Sequence, residues 1–210
     1  MKNFNQYITE KIKLSKDRFQ KVNLEYVDLE LPSGTLWAKC NVGAKTETEY
    51  GDYFAWAETE PKKEYTWDTY KFGKANNLTK YNDKDKLANI KPTDDPVHVN
   101  MGGKWSIPTK KQFAELIDNT KHEVVENYDN SGIDGMLCTA KNGNTLFLPC
   151  GGCIKNTSND AISIDGLYWV SNIDPNDSNN AYYLYFWDTG LYTVVANRYF
   201  GLNVRGVLNK

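Results

Sequence analysis

The sequence predicts an α+β fold of short, mostly antiparallel strands, with one main core helix, long irregular loops and a separate N-terminal helix. Three observations carry that expectation. The last forty-odd residues hold three apolar or aromatic segments, Gly166-Leu-Tyr-Trp-Val-Ser171, Asn180-Ala-Tyr-Tyr-Leu-Tyr-Phe186 and Arg198-Tyr-Phe-Gly-Leu-Asn-Val-Arg205, separated by polar stretches at 172–179 and 187–197. Only Thr109 to Asn119 has the helical spacing of a core helix, with Phe113, Leu116 and Ile117 on one face. From Val22 onward the rest reads as short strands cut by Gly and Pro.

Residues 2–21 read as a helix apart from the main body, because Phe4, Tyr7, Ile8, Ile12 and Leu14 recur near three- and four-residue spacing. A lone helix of that length is marginal in water, so its stripe must dock. It docks either on its own domain or, as an attachment segment over 1–21, on a larger assembly or in a homotrimer. Its attachment residues are then Phe4, Tyr7, Ile8 and Ile12. The domain proper is 22–210. Tyr26 to Leu31 alternates with period two and ends at the turn Pro32-Ser-Gly34, and Leu36 to Val42 is a second strand broken by Gly43. Tyr50 to Trp56 is a third apolar segment. The long polar region 58–100, with Pro61, Pro92 and Pro96, is either functional or packed as an irregular layer. Thr109 is the expected N-cap of the core helix, with Pro108 before it. Met136–Ala140 and Thr145–Pro149 form a hairpin around Asn142-Gly143, and the three terminal segments complete the sheet.

A chain of 210 residues with 40% hydrophobic and 25% charged residues can bury a real core, which excludes a disordered protein. The net charge of −2 and dispersed Lys and Arg argue against a nucleic-acid partner. No apolar run reaches the length of a membrane span, so membrane insertion is not expected, and no apolar signal-peptide core follows Met1. The expectation is therefore synthesis in a cytoplasm without general secretory export. Cys40, Cys138, Cys150 and Cys153 are too few for a disulfide scaffold and read as free buried thiols.

Several motifs carry a resemblance. Val27-Asp-Leu-Glu-Leu-Pro-Ser-Gly-Thr-Leu-Trp-Ala-Lys-Cys-Asn-Val-Gly43, Tyr50-Gly-Asp-Tyr-Phe-Ala-Trp56 and His98-Val-Asn-Met-Gly-Gly-Lys-Trp-Ser-Ile-Pro-Thr109 resemble the paralogous domain of surface proteins in gut bacteria. That domain resembles the formylglycine-generating-enzyme branch of the C-type-lectin-like fold. Trp105-Ser-Ile-Pro-Thr-Lys-Lys-Gln-Phe113 is similar to its Trp-Arg-Leu-Pro-Thr signature, with Ser106 in place of Arg. The terminal Tyr168-Trp169, Asn180-Ala-Tyr-Tyr-Leu184 and Arg198 to Arg205 pattern is similar to variable proteins of diversity-generating retroelements, some of which are phage receptor-binding proteins. Met1-Lys-Asn-Phe-Asn-Gln-Tyr-Ile-Thr-Glu-Lys-Ile12 resembles the leader helix of structural proteins in phages of gut bacteria. The resemblance covers about residues 26 to 207. It implies a virion protein that binds a host-surface protein or glycan for attachment. Alternatively, it implies a structural subunit docking on other virion subunits or, third, a formylglycine-generating-type oxidase.

The residues themselves favour recognition over chemistry. Cys150-Gly-Gly-Cys153 follows a strand and holds two helix-breaking glycines, whereas a redox pair needs a helix N-terminus to lower its thiol pKa. A zinc site needs more than His98 and His122. Asp94-Asp95 is the one calcium candidate, though its spacing matches no recognised loop; no other cofactor is implied, and Trp187-Asp188 is only a fragment of a calcium-dependent sugar motif. Trp37, Trp56, Trp105 and Trp169 are expected in the core, and Arg198 and Arg205 are expected to pair with carboxylates such as Asp52. Small polar and aromatic side chains make adaptable binding surfaces. The expected ligand-binding set is therefore Asn172, Asp174, Asn176, Asp177, Asn179, Trp187, Asp188, Tyr192, Asn197, Tyr199 and Phe200, exposed on one side, over a buried Tyr168, Trp169, Leu184, Phe186, Val204 and Arg205. The alternative is that those aromatics merely cap the core.

Overall fold

The computed structural model describes residues 25–187 and 190–209. The expected N-terminal helix, with Phe4, Tyr7, Ile8 and Ile12, lies outside the described residues, as does Asp188. Within them the architecture is α+β and mainly β, a set of small antiparallel sheets with few helices. No helix among the described residues is long and apolar enough to cross a membrane.

The first sheet pairs β1 (Tyr26–Asp28) with β2 (Leu36–Asn41), and β2 with the last strand, β13 (Arg205–Leu208). β1 is shorter than the alternating pattern suggests, because Glu30 turns the chain at φ 50° before the Pro32 turn. A two-stranded ribbon, β3 (Gly73–Lys74) and β4 (Asn77–Leu78), lies in the long polar region, which otherwise packs as an irregular layer. Helix α1 (Pro96–Met101) follows it, capped by the Asp95 carboxylate. Helix α2 (Lys110–Asn119) begins at Thr109 in a capping box: the Thr109 hydroxyl accepts from Gln112 N, and the Gln112 side chain accepts from Thr109 N.

The predicted hairpin is β6 (Gly135–Ala140) and β7 (Thr145–Pro149), joined on its other side by β5 (Thr120–Val125), a strand too polar to stand out in the sequence. A short ribbon, β8 (Cys153–Lys155) and β9 (Ser158–Asp160), precedes the C-terminal sheet. That sheet consists of β10 (Gly166–Ile173), β11 (Asn180–Trp187) and β12 (Gly190–Asn197), in that order. The stretch 187–197, read from the sequence as a polar loop, is thus mostly a strand. Its Leu191-Tyr-Thr-Val-Val-Ala196 run is rich in β-branched side chains that suit a pleated surface.

β10 and β11 divide the interior. Leu167, Trp169 and Ala181 face one core cluster with Phe54, Trp56 and Leu202, while Tyr168, Val170, Leu184 and Phe186 face a second with Trp37, Phe113 and Leu148. The residues expected to be buried beneath the binding face are all inaccessible, and the four expected core tryptophans are buried. Trp56 Nε1 donates to Val170 O at 2.8 Å and Trp169 Nε1 to Phe54 O at 2.7 Å. These bonds lock the segment 54–56 onto the sheet. Gly51 is required nearby: at φ 74° a side chain would be strained, and a Cβ would meet the Val42 carbonyl.

The two C-terminal arginines correct the carboxylate expectation. Arg205 is fully buried and donates to Asn41 Oδ1 at 2.8 Å and to the carbonyls of Ala38, Lys39 and Phe147. Arg198 donates to the Tyr70 hydroxyl and to the carbonyls of Tyr81, Ser178 and Lys80. These bonds all go to uncharged oxygens. Both guanidinium pKa values are pushed down by burial. Carbonyl dipoles supply most of the acceptors that these planar, five-donor cations need.

Candidate functional site

Arg198, in the turn just after β12, holds distant segments together. Its guanidinium lies 4.7 Å from the Trp56 ring, 5.2 Å from Tyr70 and 5.7 Å from Tyr81. From that aromatic box it reaches Tyr81 O at 2.9 Å in the long loop and Ser178 O at 3.1 Å in the β10–β11 connection. Two segments about a hundred residues apart in sequence are thereby fixed to one cation.

Between those segments lies a cleft of about 560 Å³. One wall is the loop Tyr81 to Ala88, the other Asn172 to Ser178, and Lys110 and Tyr182 contribute to the lining. The first wall is shaped by Asp85, whose carboxylate accepts from the backbone of Tyr81, Asn82 and Leu87. Burial acts to raise the Asp85 pKa, but those donors outweigh it and hold it below the ordinary carboxylate value. Tyr81 and Lys86 sit at φ 56° and 51°. Positive φ at such side chains is strained backbone, maintained here by the surrounding hydrogen bonds. The wall is stitched to β10 through Ile173 N to Ala88 O at 3.0 Å and Asn172 Nδ2 to Asn89 Oδ1 at 2.7 Å.

The second wall explains the asparagines. Asn172 Oδ1 accepts from Lys110 N, and Asn179 exchanges two hydrogen bonds with Asn76. Asp177 accepts from Asn179 N and from Asn180 Nδ2. Asp174 accepts from Asn176 N through one oxygen. Asn172, Asp177 and Asn179 thus build the loop more than they offer themselves to a ligand. The side chains of Asp83 and Lys86 have no partner among the described residues. Lys110 Nζ stands 4.0 Å from the Tyr182 ring centroid. Leu87, Ile173 and Pro175 add apolar lining, so the cleft combines apolar contact with a mixed-charge rim.

The ten described positions of the predicted eleven do not gather in one patch. Asn172, Asp174, Asn176, Asp177 and Asn179 gather at this end of the sheet, where Asn180 pairs with Asn197. Trp187 pairs with Gly190 at the opposite end, seven residues or roughly 24 Å along the ribbon. Trp187 and Tyr192 are the exposed aromatics, at 48% and 53%. Tyr199 and Phe200 are half-buried: Tyr199 packs edge-on to Trp67 at 5.1 Å, and Lys155 covers the Phe200 ring at 5.0 Å. For that pair, the core-capping alternative describes the packing. The wall formed by Tyr81, Asp83, Lys86 and Leu87, together with Lys110 and Tyr182, was not singled out in the sequence. The only signal was the length of the polar region.

The chemical candidates are engaged with the protein's own groups. Asp94 accepts from Tyr81 Oη at 2.8 Å and pairs with Lys71 at 3.3 Å and with Lys80. Burial acts to raise its pKa, but those partners hold the carboxyl below the ordinary value. Asp95 accepts from the backbone of Val97, His98 and Ile107, while burial pushes its pKa up. Asp94 and Asp95 are thus each engaged with donors of the protein. No group of three or more His, Cys, Asp or Glu among the described residues is arranged to hold a metal. Cys138, Cys150 and Cys153 are buried free thiols; burial pushes Cys150 up to about 12 and raises Cys153 as well, the reverse of activation.

No protein-family model matches the chain, and comparisons with curated proteins and with solved structures find no significant match.

Proposed function

We propose that the chain is a non-enzymatic virion component of a phage of gut bacteria, with a C-type-lectin-like domain whose cleft end binds a host-surface protein or glycan. The observation that carries this reading is the cleft itself. Its backbone is immobilised by Arg198, Asp85 and the Asn76–Asn179 pair, while Asp83, Lys86 and one oxygen of Asp174 are left to meet a partner. A rigid frame presenting unengaged polar side chains beside apolar surface is the physical profile of a preorganised binding site. The motif residues behind the lectin-like resemblance support the fold part, since Trp37, Trp56, Trp105 and Trp169 all anchor the core. The buried, protonated state favoured at Cys150 and Cys153 speaks against the oxidase reading. The second reading, a structural subunit that docks on neighbours, is favoured by the open edge of β12.

Adsorption assays test the proposal. Purified full-length chain should bind intact host cells and compete with particles for adsorption, and the chain should be found in purified particles. A chain that neither binds cells nor competes would refute the receptor-binding reading; its absence from particles would refute the virion assignment.

A further inference from the structure

Strand β12 is an edge without a guard. Among the described residues it pairs with β11 on one side only, in unbroken register from Asn180↔Asn197 to Trp187↔Gly190. Edge strands are normally blunted by charge, proline, a bulge or brevity. Other edges among the described residues are blunted or covered: β5 carries Lys121, His122 and Glu123, β7 ends in Pro149, β1 has three residues including Asp28, β9 has three including Asp160, and β10, though uncharged, has a register shift and is bridged to Asn89 and Asn203. From Gly190 to Asn197 there is no charge, proline or register shift, and Tyr192, Val194 and Val195 are 53%, 37% and 40% exposed.

The pairing also fixes which backbone groups face outward. Arg198 N donates to Asn179 O across the β11–β12 ladder, so residues of that parity (Tyr192, Val194 and Ala196) exchange bonds with β11. Leu191, Thr193 and Val195 therefore turn their N–H and C=O groups away from the sheet. None of these has a partner among the described residues.

We propose that β12 pairs with β12 of a second copy of this chain, antiparallel about a two-fold axis through Thr193, giving a continuous six-stranded sheet. The strand is complementary to itself in that register. Leu191 lies opposite Val195 of the other copy, Thr193 opposite Thr193, and Val195 opposite Leu191, so each of the three outward-facing residues meets another. On the other face, Tyr192 lies opposite Val194. Aromatic–β-branched and Thr–Thr pairs are favourable cross-strand neighbours, and an isologous contact requires this kind of self-complementarity. The absence of charge removes the repulsion that self-pairing would otherwise bring. A charged foreign strand would gain no ion pair here. Pairing would leave the two clefts at opposite ends of the joined sheet, each engaging its own ligand.

The test is the mass of the full-length chain in solution, by light scattering after gel filtration and by sedimentation. Wild type should run at twice the 24.0 kDa chain mass. Thr193→Lys and Thr193→Glu each place like charges opposite one another at the axis, and each should give a monomer with an unchanged circular dichroism spectrum. Mixing the two variants should restore the dimer as a heterodimer. Should either variant fail to fold, Thr193→Pro serves in its place. It removes an outward N–H that β11 does not use and should also give a monomer. A monomeric wild type, a mass unaffected by these substitutions, or folded Lys and Glu variants that do not dimerise on mixing would each overturn the proposal.

Discussion

Replacing Arg198 should loosen the cleft before it unfolds the domain. The side chain is inaccessible to solvent and makes four hydrogen bonds, one to a hydroxyl and three to carbonyls. Arg198→Met preserves much of the volume but leaves Tyr81 O, Ser178 O and Lys80 O without this donor. An unsatisfied buried polar group costs about 1–3 kcal/mol. Two of these contacts are only part-buried, so water can recover some of the loss. Removing the charge also relieves the desolvation that lowers the Arg198 pKa. The net expectation is a loss of about 3–4 kcal/mol, at the upper end for single substitutions. Arg198→Lys, which cannot form the planar fork, should lose about 2–3 kcal/mol. Urea denaturation gives the magnitude. Hydrogen exchange gives the location: amides of 80–88 and 174–179 should lose protection well beyond those of β6 and β7. Wild-type stability together with unchanged protection of both loops in Arg198→Met would refute the role assigned to this side chain.

Three further outcomes follow from the packing and the buried charges. Asp94 has a depressed pKa in the folded state, so the unfolded chain takes up its proton first as pH falls. Its stabilisation is therefore full above the ordinary carboxylate pKa of about 4 and is lost as pH drops through the lower folded value. Asp94→Asn should cost about 1–3 kcal/mol at pH 7, given the half-exposed Lys71, with the gap to wild type closing in acid, as measured by urea melts across pH. Gly166→Ala should destabilise by about 1–3 kcal/mol in thermal melts, because the added methyl runs into the buried Phe186 ring. The double substitution Cys150→Ser and Cys153→Ser should lower the melting temperature yet leave cell binding intact; loss of binding by the folded variant would reopen a role for the thiols.

What was legible in the sequence was local. The capping box at Thr109 and Gln112 and the hairpin around Asn142-Gly143 are short-range devices, and both stand where the pattern puts them. The tryptophan core followed from residue type. β5 was missed because Lys121-His-Glu123 mask a strand whose side chains are largely exposed. β12 is masked in the sequence because its Leu191–Ala196 run is short and lies between Trp187, Gly190 and Asn197 in a stretch polar overall. The arginine partners could not be read off, since a buried guanidinium satisfied by backbone carbonyls leaves no mark in composition. The cleft was half legible for the same reason. Asn172 to Asn179 advertised one wall, but the other is shaped by Asp85 and tied in by Arg198, contacts that exist only once the long loop has folded back.

Binding of purified full-length chain to intact host cells, with charges altered inside the cleft, tests the recognition claim most directly. Asp83→Lys and Lys86→Glu reverse side chains that have no partner among the described residues, so folding should be unaffected. Tyr182→Ala removes the aromatic surface on the lining. Each should reduce binding about tenfold or more, as expected for contacts central to a recognition site, while Lys121→Ala on the β5 edge, outside the cleft lining, should bind as wild type does. Undiminished binding by all three folded cleft variants would contradict the placement of the recognition site between the 81–88 loop and the β10–β11 connection.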